Sequence, residues 1–290
     1  MEKAKVYFTK EITPESLVKI YEALGVKLQG KVAVKLHSGE EGNQNYLKPE
    51  FAKAIVEKVN GTVVECNTAY EGARDTTEKH KKLMDKHGWT KYFNVDIMDA
   101  EGPDKILEIP NGKVIKKDYV GKNINNYDSM LVLSHFKGHP MGGYGGAIKQ
   151  LSIGMASSYG KAYIHGAGNA EGDYFATDQG KFLEAMADSA SAVAKYFENN
   201  IIYINVMCNL SVDCDCCAVA EDPCMEDIGI LASLDPIAID QACIDLIYNS
   251  KDKGRDHFVE RVERQHGVHT IEASAELGFG TREYELIKID

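Results

Sequence analysis

Residues 129–154 read SMLVLSHFKGHPMGGYGGAIKQLSIG, and this stretch decides the architecture. Met130 to Leu133 is a short apolar run, as expected of a buried strand. A Gly-rich loop follows, and a helix begins after it. Strand, loop and helix in that order form one unit of an α/β fold.

The same alternation extends outward in both directions. Thr13-Pro14-Glu15 starts a helix, with Thr13 as N-cap, and Gly25 ends it. Lys31 to Leu36 (KVAVKL) alternates apolar and polar residues as a strand does. Pro49 opens a second helix that Gly61 closes; Thr62 to Cys66 is β-rich, and Asp75 to His87 is a charged surface helix. Residues 92–120 hold short strand-like runs, with Asn111-Gly112 as a hairpin turn between Ile106–Ile109 and Val114-Ile115. Downstream come a long helix (Gln179 to Glu198), a buried strand (Ile201 to Val206), and a short run (Ile228 to Ala232). A helix from Pro236 to Tyr248 is capped by Ser233 or Asp235. Arg255 to His266 and Ile271 to Leu277 are helical, and Tyr284 to Ile289 is a last strand. The pattern predicts an α/β fold with a mostly parallel sheet flanked by helices. It spans 1–290 as one unit or as two closely packed lobes.

A net charge of −11 argues against a nucleic-acid partner, which needs a basic face. No apolar run reaches signal-peptide or membrane-span length, so a cytoplasmic location without membrane association is expected. Seven cysteines, an odd number with Cys216 and Cys217 adjacent, make a poor disulfide framework. In a reducing compartment, clustered thiols are more often metal ligands or redox groups.

Five of the seven fall in Cys208-x5-Cys214-x-Cys216-Cys217-x6-Cys224. Thiolates suit zinc and iron–sulfur centres. The spacing is not that of a ferredoxin, so a cluster type does not follow from it. The neighbouring Asp213, Asp215, Glu221 and Asp222 disfavour thiolates unless a cation is present. The loop follows a strand, as do His37 with Glu40, Cys66, and the pair His135 and His139. Ligands of open α/β sheets bind beyond the carboxyl ends of strands, so parallel strands would bring these groups to one rim. Lys137 and Lys149 could hold a carboxylate or phosphate, with Gly142, Gly143, Gly145 and Gly146 allowing close approach and the following helix N-terminus favouring an anion. His165 is a further candidate. His80, His87, His257 and His266 read as solvated, Asp240 as facing a site or, more in keeping with its flanks, solvating a surface, and Cys243 as core.

KLHSGEEGNQNYLKP, SHFKGHPMGGYGGAIKQLSIG, the CDCC segment and DIGILASLDPIAIDQACIDLI resemble the DUF362 family, from about residue 30 onward. Many members carry an inserted ferredoxin-like segment and are described as iron–sulfur proteins; this chain lacks that insertion. The His- and Gly-rich stretch is also distantly similar to a loop of nickel-dependent lactate racemases.

These readings imply a metal- or iron–sulfur-dependent enzyme, redox-linked, acting on a small anionic molecule. Cys208, Cys214, Cys216, Cys217 and Cys224 are the expected ligands of a cluster or of zinc, iron or nickel. His37, His135, His139 and Lys149 are the expected catalytic groups. A metal or cluster carrier and a non-redox zinc or nickel enzyme are the alternatives. The reading leaves room for a redox partner protein and for a homodimer.

Overall fold

The computed structural model describes residues 3–174 and 177–290. Its strands are β1 (Ala4–Thr9), β2 (Val32–Lys35), β3 (Gly61–Glu65), β4 (Val95–Ile97), β5 (Lys105–Glu108), β6 (Lys117–Val120), β7 (Ser129–His135), β8 (Lys137–His139), β9 (Gly143–Gly145), β10 (Ile201–Met207), β11 (Gly229–Ser233) and β12 (Tyr284–Lys288). The helices are α1 (Pro14–Ala23), α2 (Pro49–Lys58), α3 (Thr77–Lys86), α4 (Trp89–Tyr92), α5 (Ala147–Leu151), α6 (Ser158–His165), α7 (Gln179–Phe197), α8 (Pro236–Tyr248), α9 (Arg255–Arg264) and α10 (Val268–Leu277).

Eight strands form one sheet in the order β12-β1-β11-β10-β7-β2-β3-β4. β4, β3, β2, β7 and β10 run parallel, as do β1 and β12. β11 is antiparallel to both its neighbours. The expected mostly parallel sheet flanked by helices is therefore present. β7 and β10 are buried along their whole lengths because helices cover both faces. On one face Val34, Leu131 and Ile204 pack with Leu17, Ile20 and Ile55. On the other Ala33, Met130 and Val132 pack with Ile148, Leu183 and Ile239. Among the described residues no helix is long and apolar enough to cross a membrane.

Several local expectations need correction. β1 has no counterpart in the sequence reading. β5 and β6 do pair antiparallel, but β6 begins at Lys117, beyond the expected Val114-Ile115. Asp188 on α7 accepts the amides of Lys113, Val114 and Ile115, which holds that segment out of the ladder. His80 is buried, because it shares the inner face of α3 with Leu83 and Met84. His87 is half-buried: it bonds the Ser38 carbonyl at 2.9 Å and stacks on Tyr46. Asp240 is also buried, and its four bonds are described below.

Asp118 on β6 is fully buried with Ser189 Oγ donating to it at 2.8 Å, while its Oδ1 has no partner among the described residues. Burial pushes its carboxyl up to about 7. The folded chain thus holds this proton more tightly than the unfolded chain, so stability falls as pH rises from about 4 to 7. Asp118→Asn is expected to raise stability at pH 8 by about 2 kcal/mol and to flatten that decline. Urea denaturation at pH 5 and pH 8 checks it; equal stability of both proteins at pH 8 would refute it.

Candidate functional site

The chain lays down β2, β3 and β4 outward in one direction, then returns to the other side of β2 for β7 and moves on to β10. The order reverses between β2 and β7, the place where open α/β sheets leave a crevice beyond the strand ends. A cavity of about 510 Å³ lies at this reversal. Lys35 and His37 enter it from the end of β2, and Lys137 and His139 from the segment after β7.

Five cationic side chains line it: Lys35, Arg74, Lys137, Lys149 and Lys161. Glu65 is the one carboxylate among the described lining residues. Burial works to raise the Glu65 carboxyl, but the cations Lys35 and Arg74 hold it far below the usual range. Arg74 forks onto Glu40 Oε2 at 3.1 and 3.0 Å and reaches Tyr70 Oη at 3.0 Å. Lys137 pairs with buried Asp215 at 2.9 Å, and Asp215 also meets His135 Nδ1 at 2.8 Å. Burial and the neighbours Lys137 and Lys35 bring Lys149 down to about 7. The cavity wall is therefore cationic although the chain as a whole carries a net charge of −11.

One group of soft ligands stands at the same cavity. His139, Cys214 and Cys216 present ligand atoms within 4.8 Å of one another, a group that could hold a metal ion. His139 and Cys216 line the cavity. Cys214 and Cys216 are joined as a disulfide, so thiolates exist only in the reduced chain. Burial first, then Lys149, holds His139 well below its ordinary pKa, so the ring is neutral. Its Nδ1 accepts the amides of Met141 (3.1 Å) and Gly142 (2.9 Å), leaving the proton on Nε2, 3.9 Å from Cys216 Sγ. For Nε2 to ligate a metal, that proton must move to Nδ1 at the expense of those two amide bonds. In ligand type and spacing, the donor set fits a borderline cation.

The other expected site residues separate from this group. Cys217 lines the cavity, and its amide bonds the Cys214 carbonyl. Cys208 packs in the core, where burial and the Asp227 carboxylate push its thiol up to about 12. Cys224 turns to the Leu210 carbonyl at 3.3 Å. His135 does not line the cavity; its Nε2 meets the Cys208 carbonyl at 2.6 Å, so both ring nitrogens are engaged. His37 lines the cavity and accepts the Gly39 amide, and burial, then Arg74, holds it neutral. Gly145 and Gly146 border the cavity, whereas Gly143, at φ +78°, packs against Gly267, and Gly142 donates to His139.

The reading of the glycine loop as a free helix N-terminus needs correction. Asp240 takes the amides of Ala147 and Ile148 at 2.8 and 3.0 Å, so the start of α5 is capped from within. Gly146 permits this: a Cβ there would lie 2.4 Å from Asp240 Oδ1. The sequence reading also missed Lys35, Glu65, Arg74, Lys161 and Asp215. A lysine inside an otherwise apolar parallel strand was the available signal for Lys35. Arg74 lies in a loop with no local pattern to mark it.

The chain matches the family model "Domain of unknown function (DUF362)" over residues 32–245. No curated protein matches it. Several solved structures are similar to it, and two of them stand as examples. One is the lactate racemase apoprotein from Thermoanaerobacterium thermosaccharolyticum, at 14% identity and TM-score 0.43, covering 70% of this chain and 50% of that one. The other is a protein from Thermotoga maritima, at 12% identity and TM-score 0.46, covering 92% of this chain and 59% of that one. The chain thus spans about half the length of the first and about three fifths of the second. The matched segment runs from β2 through the glycine loop and the Cys loop into α8, so it contains the cavity's principal walls, and this chain belongs to the DUF362 family.

Proposed function

We propose that this protein is a metal-dependent, redox-linked enzyme acting on a small anionic molecule. The carrying observation is that the His139/Cys214/Cys216 group and five cationic side chains share one cavity at the sheet's reversal point. Cys214 and Cys216 as thiolates, with His139, would hold the metal. Two sulfurs and one nitrogen suit zinc, nickel or ferrous iron rather than magnesium or calcium. They also favour a single ion over an all-cysteine iron–sulfur cluster of four ligands, since Cys208 and Cys224 lie elsewhere. A bound cation would supply a Lewis acid beside the anion. Lys137, fixed by Asp215, and Arg74, fixed by Glu40, orient the anion. The Cys214–Cys216 pair supplies the redox link, because its disulfide form offers no thiolate.

Reduced protein purified without oxygen is expected to carry about one metal ion per chain by elemental analysis. Cys214→Ser with Cys216→Ser is expected to lower this to under about a tenth of an ion per chain. Oxidised wild-type protein should behave like the double variant. A full metal complement in the double variant, or none in the reduced wild type, would overturn the reading.

A further inference from the structure

Four of the five cavity cations are already committed to partners. Arg74 is held by Glu40, and Lys137 by Asp215 and the His135 carbonyl. Lys35 donates to the Leu36 carbonyl and faces Glu65, and Lys161 donates to the Ala156 carbonyl. Lys149 differs from all of them. It lines the cavity but makes no side-chain hydrogen bond and no ion pair among the described residues. Its base is rigid, because Asp240 anchors the first turn of α5. A Cβ on Gly145 would meet Lys149 Cδ at 3.5 Å and Lys137 Nζ at 3.8 Å, so the two lysines flank one glycine. A like charge this near, together with burial, favours the free amine over the ammonium.

A second unused group lines the same cavity. His165 is 3% exposed, and its Nδ1 has no hydrogen-bond partner among the described residues. Its ring is fixed by stacking on Tyr174 (3.9 Å) and Phe182 (4.7 Å). Burial, then Lys149, keeps the ring neutral, so one ring nitrogen carries a lone pair through which a proton can be relayed without being retained.

We propose that Lys149 is a nucleophilic amine that forms an imine with a small aldehyde or ketone bearing a carboxylate or phosphate. The inference rests on the anion-binding reading of the cavity and deepens it by naming the substrate class. The Lys149 nitrogen lone pair attacks the carbonyl carbon; an N–C bond forms, and the C=O π-pair moves to oxygen, which takes the first amine proton. The C–O bond then breaks as the nitrogen lone pair forms C=N, and the second amine proton, relayed by His165, joins the departing hydroxyl as water. The balance is amine plus carbonyl giving imine plus water, with no oxidant or reductant. The committed cations hold the anionic group while the uncommitted amine reacts.

Borohydride trapping tests this on the full chain, in the presence of a metal chelator. The probes are pyruvate for a carboxylate, pyridoxal phosphate for a phosphate, and propanal as a neutral control. Intact mass is expected to show one reduced adduct per chain with an anionic probe, mapped to Lys149, and at least about tenfold less with propanal. Lys149→Arg, which keeps the charge, should abolish it while the circular dichroism spectrum stays unchanged. Adducts scattered over surface lysines, or undiminished in Lys149→Arg, overturn the imine. If trapping fails while calorimetry still detects binding of acetate or inorganic phosphate, the imine is wrong and the anion cavity stands. Equal labelling of Lys149 by propanal leaves the nucleophile standing and overturns the anion cavity and the substrate class named here.

Discussion

Asp240→Ala is expected to lower the stability of the fold by about 3–5 kcal/mol. Asp240 is 0% exposed and accepts four hydrogen bonds. They come from the amides of Ala147 and Ile148, from Asn205 Nδ2 at 2.7 Å and from Tyr144 Oη at 3.2 Å. Removing the carboxylate strands four donors in a closed interior, at about 1–3 kcal/mol each before relaxation. Asp240→Asn should recover less than half of the loss, because its NH2 group would face donors where an oxygen now accepts. Urea denaturation of wild type and both variants is the measurement, with an unchanged slope showing that the cooperative unit is intact. A silent Asp240→Asn would show that the carboxylate is not the anchor of α5.

Asp215→Ala carries the second large effect, again about 3–5 kcal/mol at pH 7. Its carboxylate is 1% exposed and neutralises Lys137 while bonding His135. Burial works to raise this carboxyl, but His135 and Lys137 hold it well below the ordinary value. The folded chain therefore binds the Asp215 proton more weakly than the unfolded chain. The stability it contributes is fully present above about pH 4 and is lost as pH falls toward the lower folded value. The gap between wild type and Asp215→Asn should be wide at pH 7 and narrow progressively below pH 4. A gap independent of pH would mean that Asp215 acts through shape and not through charge.

The strand–loop–helix at 129–154 was legible because its signals are local: an apolar run, glycine punctuation and a helix start. The convergence of His37, His139 and the Cys loop on one rim followed from that alternation, since parallel strands end on the same side. What stayed hidden depends on distant partners. Asp240 sits in the apolar PIAIDQAC run, yet nothing nearby announces that its partners are residues 144–148 and Asn205. Asp215 read as an acid unfavourable to thiolates, because His135 and Lys137 lie far away in the chain. His80 read as solvated because its polar flanks outweighed the inward face it shares with Leu83 and Met84. Lys35 ends β2, Lys137 follows β7, and Lys149 and Lys161 sit on α5 and α6, but only the tertiary fold brings Arg74 among them.

The placement of β1 sets the order in which the molecule can be completed. Val6 pairs with Ser233 on one side and with Leu286 on the other, so β1 finds both its neighbours more than two hundred residues further along the chain. Until residues 229–288 are in place, β1 has neither of its sheet neighbours, whereas β2, β3, β4, β7 and β10 pair only with strands that precede residue 208 or with β11. Closure over such sequence separation is slow, and an unpaired edge strand invites pairing with another chain. Synthesis halted before residue 229 would leave that strand unmatched however well the cavity itself had formed.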